Sequence, residues 1–192
     1  MKTKRAEGRI SGKRRARSAA KEIAYIALGV ALITICAWIS IPVFTIPYTL
    51  QTLAVPLIGA LLGWKRGAAS VVVYILMGLA GIPVFSNFNA GAGVLFGPTG
   101  GYIFGFLFAV VISGLFKLIP LKNKWGRSGM FYGANVLGMS VCYAFGTAWF
   151  VFMYRCSVAY ALTVCVVPYL AADAVKLLIA AVLTVRLEPY IK

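Results

Sequence analysis

Apolar residues fall into six runs along this 192-residue chain. The runs cover roughly 22–41, 50–63, 67–84, 100–119, 129–153 and 161–187. A helix that spans a membrane needs about 20 predominantly apolar residues, and all the runs except the second approach or exceed that length. The second run is short and contains Pro56, which predicts a tilted, re-entrant or protein-buried helix. The pattern predicts an all-α membrane protein built as a bundle of six transmembrane helices.

The composition agrees with a membrane protein rather than a soluble one. Hydrophobic residues make up 61% of the chain and charged residues only 12%, whereas soluble domains have about 45–50% and 25%. The length leaves room for one folded unit. We therefore expect a membrane domain at 22–187, a basic tail at 1–21 and a short C-terminal end at 188–192.

The formal net charge is +15, and its distribution predicts an orientation. Nine of the nineteen basic residues lie in positions 1–21. In a six-span topology the basic residues of the two termini, of 65–66 and of 117–127 share one side, and the opposite side receives only Arg155. The positive-inside rule then places both termini in the cytoplasm. The tail has no aromatic residues interleaved with its charges, which favours contact with anionic lipid over nucleic acid.

Asp173 and Lys176 lie inside the last apolar run, and Asp173 is the only acid between Glu22 and Glu188. A charged side chain at membrane depth costs about 2.5–3.5 kcal/mol on the insertion scale, so it usually faces a cavity or a partner. At a spacing of three residues the two side chains share one helix face. The pair predicts a site for a small polar ligand, and a structural ion pair between helices is the alternative.

Several kinds of chemistry are missing from the sequence. There is no histidine, and the four cysteines show no metal-ligand spacing. A single acid in the apolar region provides no paired carboxylates for acid–base catalysis. We therefore expect a protein that is not an enzyme, with no metal, no cofactor and no nucleotide-binding motif of its own.

Three connections face outward in the predicted topology, at 40–52, 81–102 and 154–163. The second is dense in Gly, Pro and Asn, and two of these loops lie on the same predicted side as Asp173. Irregular loops above an intramembrane polar pair are typical of an entrance and a lid.

Three motifs follow one another along the chain: TLQTLAV at 49–55, GPTGGY at 97–102 and the D-x-x-K pattern that begins at Asp173. With these motifs in this order, the chain resembles the BioY family, the biotin-specific substrate-binding (S) subunits of energy-coupling factor (ECF) transporters. The resemblance covers about residues 20–187. It implies the six-helix S-component fold, with biotin bound near the extracellular face and the first outward loop as a lid.

The resemblance also implies partners and a location in the bacterial cytoplasmic membrane. The partners are a transmembrane coupling (T) subunit and a pair of ATP-binding-cassette ATPases, which would hydrolyse the ATP. Ala27 and Ala31 match the family's coupling motif in position and spacing, so they are the predicted docking surface. Internal packing is the alternative for such small-residue spacing.

The resemblance places Asp173 and Lys176 in the ligand site, and the chemistry of biotin agrees. Asp173 would accept ureido N–H bonds, and Lys176 would donate either to the ureido oxygen or to the carboxylate. In the Gly-rich loop this chain has Ser86, Asn87 and Asn89 where the family usually has Gly and Ala. The further polar candidates are Thr49, Gln51, Asn87 and Asn89, and the aromatic candidates for covering the apolar rings are Phe44, Tyr48 and Tyr102.

Three other functions remain open at this point. One is an S subunit of the same fold that binds another vitamin. An intramembrane enzyme would use Asp173 or Lys176, although a second acid–base partner is missing. A purely structural membrane subunit would tolerate the joint replacement of Asp173 and Lys176 by apolar residues.

Overall fold

The computed structural model describes residues 2–42, 46–121 and 123–191, with side chains from Ser18 onward. The described chain is mostly helical. Its α-helices are α1 (Lys2–Trp38), α2 (Gln51–Leu62), α3 (Trp64–Leu79), α4 (Ala92–Leu95), α5 (Gly100–Phe116), α6 (Lys124–Tyr154), α7 (Val158–Cys165) and α8 (Val167–Leu187). Two-residue strands β1 (Ser40–Ile41) and β2 (Tyr48–Thr49) form an antiparallel hairpin, and 3₁₀ turns lie at Ser86–Phe88 and Glu188–Tyr190.

Each of the six predicted apolar runs coincides with a helix, which confirms the all-α fold class. The last run differs in one respect, because α7 and α8 meet at Val166 with a bend of 48°. Pro168 lies in the first turn of α8. A proline has no N–H to donate and its ring clashes with the carbonyl four residues earlier, so α7 cannot continue regularly through this position. The predicted tail at 1–21 is helical from Lys2 and continuous with α1.

The number of spans is not settled by helix length. In the described residues, Ser18–Trp38 and α6 are long and apolar enough to cross a membrane, and the bent α7–α8 pair is a third span if counted as one. Helices α2 and α5 are apolar but have only 12 and 17 residues. The six-span count and the cytoplasmic termini therefore stay predictions.

Helix α2 lies at the centre of the bundle, between α5, α8, α3 and α1. Ten of its 12 residues are buried, including Pro56, so this short helix is enclosed by protein, as the sequence predicted among its alternatives. Close approach depends on Gly59: a Cβ there would lie 2.3 Å from the backbone oxygen of Val110 on α5. Such contact between backbones is typical of packing in membrane bundles.

The two ends of the bundle differ in chemistry. At one end the β1–β2 hairpin contacts the loop between α3 and α5 and the beginning of α8. We call this the cavity end. The other end, which we call the basic end, carries Arg66, Lys117 and Arg127 in contact with acidic side chains or helix carbonyl groups.

Candidate functional site

A cavity opens among the hairpin, α2, α5, α6 and α8, with about 630 Å³ of space unoccupied by atoms, including its mouth. Most of its wall is apolar, with Ile103, Phe106 and Met139 along α5 and α6. Polar side chains collect at one end, where α2, α6 and α8 meet. An apolar pocket with a few convergent polar groups is the usual form of a small-molecule site.

The polar end is built around Asp173 and Lys176, one turn apart on α8. Lys176 Nζ lies 2.9 Å from Asp173 Oδ1. Both residues line the cavity, with only 3% and 6% of their surfaces exposed. A charged pair with so little exposure needs further hydrogen bonds to offset its desolvation.

Two hydroxyl groups on neighbouring helices supply such bonds to Asp173. Thr52 Oγ1, on α2, donates to Oδ1 at 2.8 Å. The Tyr143 hydroxyl, on α6, donates to Oδ2. The carboxylate is therefore held by donors from three helices, and both of its oxygens are engaged.

The ammonium group of Lys176 joins the ion pair to the hairpin. It donates to the backbone oxygen of Thr49 at 2.7 Å and to Thr52 Oγ1 at 3.2 Å. It also lies 3.6 Å from the centre of the Tyr48 ring, in a cation–π contact. With Asp173 as the third acceptor, all three ammonium hydrogens have a partner.

Gln51 and Tyr102 also line the cavity, as predicted. Gln51 Nε2 donates to the Tyr74 hydroxyl at 2.9 Å, and its Oε1 accepts from Thr49 Oγ1 at 3.2 Å. The Tyr102 hydroxyl lies 3.3 Å from Thr147 Oγ1. These polar atoms are thus already paired within the protein, while their side chains remain part of the wall.

The hairpin covers the cavity and is fastened to α8. The Tyr169 hydroxyl donates to the backbone oxygen of Ile46 at 2.5 Å. The rings of Tyr48 and Tyr169 stack with centres 5.9 Å apart. Phe44, a predicted ligand contact, lies outside the described residues.

The structure does not bring Asn87 and Asn89 into the wall of the cavity. Their neighbour Ser86 lines it. Asn87 adopts a left-handed backbone conformation with φ 57°, and its amide oxygen accepts a hydrogen bond from Ser40 on the hairpin at 2.8 Å. Asn89 Nδ2 donates to the backbone oxygen of Ser86. The Asn87 amide joins the loop to the hairpin and the Asn89 amide bonds within the loop, so their geometry does not favour ligand contact in this conformation.

The sequence reasoning did not find five hydroxyl-bearing residues of the wall. They are Thr52, Tyr74, Thr99, Tyr143 and Tyr169. Tyr169 precedes Asp173 by four residues, so helical spacing was a usable signal. Thr52 stands inside the TLQTLAV motif beside two residues that were chosen. Tyr143 had no such signal, because it lies within a long apolar run.

Ala27 and Ala31 lie away from the cavity, at a groove between α1 and α3. Both are exposed, and the groove is otherwise lined mainly by apolar side chains such as Ile35 and Met77. Small residues of α1 that pack internally include Gly29, where a Cβ would lie 2.4 Å from Ser70 Oγ, and the buried Ala37. Internal packing and the predicted docking surface thus use different faces of α1.

Comparisons with known proteins agree with this architecture. A family model described as the BioY family matches residues 5–192. The relative named "Biotin transporter BioY" of Thermotoga maritima is 40% identical over 158 residues, 82% of this chain and 90% of that protein. The "Probable biotin transporter BioY" of Pyrococcus horikoshii is 37% identical over 169 residues, 88% of this chain and 97% of that protein.

A solved structure is also similar. It is a crystal structure at 2.1 Å of the S-component for biotin from an ECF-type ABC transporter. The TM-score is 0.78 at 26% sequence identity, over 92% of this chain and 98% of that one. With a family model matching nearly its whole length and relatives of this similarity, the chain belongs to the BioY family.

Proposed function

We propose that this protein binds biotin in the cavity beside Asp173 and Lys176, as the S subunit of an ECF-type transporter for biotin uptake. The observation that carries the proposal is the buried ion pair at the polar end of a mostly apolar cavity. Membership in the BioY family and the names of its relatives support biotin as the ligand.

The chemistry of biotin matches the two parts of the cavity. Its ureido ring has two N–H donors and one carbonyl acceptor, which suit the carboxylate of Asp173 and the ammonium group of Lys176. Its thiophane ring and aliphatic tail are apolar and suit the wall near Ile103, Phe106 and Met139. A carboxylate ligand group would be repelled by Asp173, so the ureido ring is the end that approaches it.

Lys176 must exchange one partner to bind a ligand oxygen, because its three hydrogens are already bonded. The contact with Thr52 Oγ1, at 3.2 Å, is the longest of the three. Thr52 would keep its own bond to Asp173 if this contact were exchanged. A ligand oxygen that replaced Thr52 would therefore leave both the ion pair and the hairpin contact in place.

The β1–β2 hairpin serves as the lid in this proposal. Its backbone oxygens at Ile46 and Thr49 accept hydrogen bonds from Tyr169 and Lys176 of α8. Entry of a ligand from the cavity end would require these bonds to open. The lid is thus connected to the same helix that carries the ligand-binding pair.

A calorimetric titration of the purified protein with biotin tests the proposal. We expect saturable binding by the wild type and much weaker binding by folded Asp173→Asn, which loses the charge that accepts the N–H. A panel of other vitamins separates biotin from the alternative ligands. Binding of another vitamin with no response to biotin would overturn the biotin assignment.

Uptake against a gradient would need a T subunit and ATPases, because the chain carries no recognised nucleotide motif of its own. We assign the docking of the T subunit to the exposed groove at Ala27 and Ala31, whose small side chains allow a helix to approach closely.

The protein would lie in the bacterial cytoplasmic membrane with both termini inside. Outside labelling of Asn89→Cys but not of Lys124→Cys in intact cells is the expected topology result, and the reverse would refute it.

Ala27→Trp tests the docking surface. We expect this variant to keep biotin binding and to lose co-purification with the T subunit and ATP-driven uptake. Leu137→Trp is the matched control, because Leu137 is an exposed residue on α6. Normal co-purification of the Ala27→Trp variant would move the docking surface to another helix.

A further inference from the structure

We propose that Tyr143 is a positioning residue for ligand recognition: it orients the Asp173 carboxylate so that Oδ2 accepts an N–H group of the ligand. The inference rests on the proposed function, since the ligand considered is biotin. It adds a residue on α6 to a site whose recognised pair lies on α8.

The two carboxylate oxygens of Asp173 accept different numbers of hydrogen bonds. Oδ1 accepts from Thr52 Oγ1 at 2.8 Å and from Lys176 Nζ at 2.9 Å. Oδ2 accepts from the Tyr143 hydroxyl. An ionised carboxylate has about four lone-pair positions, two on each oxygen. Oδ1 is therefore full, and one position on Oδ2 remains for a ligand donor.

Tyr143 helps to fix the rotation of the carboxylate plane. The terminal torsion of an aspartate has a broad energy profile, so the carboxylate orientation depends on its hydrogen bonds. Rotation about the Cβ–Cγ bond moves both oxygens together, so the bonds of Thr52 and Lys176 to Oδ1 and the bond of Tyr143 to Oδ2 fix the plane jointly. Among the described side chains only Tyr143 bonds Oδ2. Tyr143 thus occupies one lone pair of Oδ2 and helps to set the direction of the other, which remains for a ligand donor.

The location of Tyr143 suits this role. The side chain is half-buried and lines the cavity next to Cys142 and one turn after Met139. Its hydroxyl makes no other hydrogen bond to the described part of the chain. A ligand that reaches Oδ2 would therefore lie beside the Tyr143 ring.

Tyr143→Phe removes the hydroxyl and keeps the ring. We expect biotin to bind about tenfold more weakly, the loss typical of one hydrogen bond to a charged group. In an Asp173→Asn background the same change should cost less than about twofold, because contributions of residues acting through one group are not additive. A cyclic carbamate analogue of biotin, with oxygen in place of the N–H that meets Oδ2, should bind the wild type and Tyr143→Phe almost equally; both regioisomers are measured.

Tyr132→Phe is the control on the same helix, since Tyr132 is half-buried and is not part of the cavity wall. It should leave biotin affinity unchanged. Wild-type affinity in folded Tyr143→Phe would overturn the inference. So would an equal loss in the wild-type and Asp173→Asn backgrounds, which indicates a structural role. Absence of biotin binding by the wild type would instead refute the proposed function itself.

A second measurement does not depend on the folding of Tyr143→Phe. With isotope-labelled tyrosine, the infrared C–O stretch of Tyr143 reports whether its hydroxyl donates to a carboxylate. We expect one tyrosine band to shift in unliganded Asp173→Asn relative to the wild type. An unchanged spectrum would overturn the assignment of Tyr143 to Asp173.

Discussion

Each of the three acidic residues with a described side chain pairs with a base, yet the three pairs differ in burial and in what surrounds them. Asp173 and Lys176 have side chains 4% and 8% exposed at the cavity end. Glu188 and Arg127 are 23% and 19% exposed, and Glu22 and Arg66 are 45% and 33% exposed, both at the basic end. The same chemical pairing therefore ranges from a desolvated pair in the wall of a cavity to a solvated contact between helices.

Burial, more than the presence of an ion pair, distinguishes the candidate site from the other two pairs. A desolvated pair persists only where several additional hydrogen bonds support it, and Asp173 has them from Thr52 and Tyr143. An exposed pair needs no such support, since water solvates both charges, and it contributes little. Removing one member of each pair should therefore give effects that follow the order of burial.

Lys176→Ala should have the largest effect, because it leaves the Asp173 carboxylate buried without a cation. The expected loss is about 3–5 kcal/mol of unfolding free energy, with biotin binding abolished. Thermal unfolding in detergent and calorimetry measure the two quantities. An unchanged melting temperature together with wild-type affinity would contradict both the ion-pair geometry and the site.

The joint replacement Asp173→Leu with Lys176→Met separates stability from function. Apolar residues of similar size often replace a buried pair without loss of stability. We expect the double variant to fold like the wild type and to bind no biotin. A double variant that still supports uptake would instead favour the purely structural role.

Arg127→Ala should have an intermediate effect on stability and none on biotin affinity. Arg127 Nη2 lies 2.6 Å from Glu188 Oε1, Nη1 donates to the backbone oxygen of Leu121, and the guanidinium lies over Phe131. A partly exposed pair of this kind contributes about 1 kcal/mol or less, to which lost packing adds. Arg186→Ala is the control, as no ion pair of Arg186 occurs in the described residues. A loss of biotin affinity in Arg127→Ala would show that the basic end and the cavity end are coupled, and it would contradict the expected separation of the two.

The fold was largely predictable because hydrophobicity alone specifies which segments lie inside a bilayer. The helix containing Pro56 was recognisable as unusual, because a proline inside a short apolar run frees backbone groups that neighbouring helices must compensate. The break at Val166 was missed although Pro168 follows it closely. Apolar content is uniform across that break, so only Pro168 marked it, because a proline cannot continue a preceding helix without loss of a hydrogen bond.

Residues of the cavity wall were predictable where they were chemically out of place in an apolar run or where they were polar or aromatic on the predicted outward side. Asp173 and Lys176 stand out as charges in an apolar run. Thr52 and Tyr143 do not, since hydroxyl-bearing residues are ordinary in membrane helices, and they lie 121 and 30 positions from Asp173. Asn87 was chosen for its polarity, but its left-handed backbone places its amide against Ser40. Contacts between distant helices and local loop geometry are not encoded in composition.

Glu22→Gln should have the smallest effect. Arg66 Nε donates to Glu22 Oε2 at 2.6 Å, and the guanidinium also lies 5.0 Å from the centre of the Tyr25 ring. Because both side chains are well solvated, water and salt replace the lost attraction, and the contact with Tyr25 remains in the variant. We expect a melting temperature and a biotin affinity indistinguishable from the wild type at moderate salt, with any small difference disappearing at high salt. Unfolding curves at low and high ionic strength measure this. A loss of stability as large as that of Lys176→Ala, or one that does not respond to salt, would show that Glu22 lies in a less polar environment than its exposure indicates. The expected order of effects by burial would then be wrong for the most exposed pair.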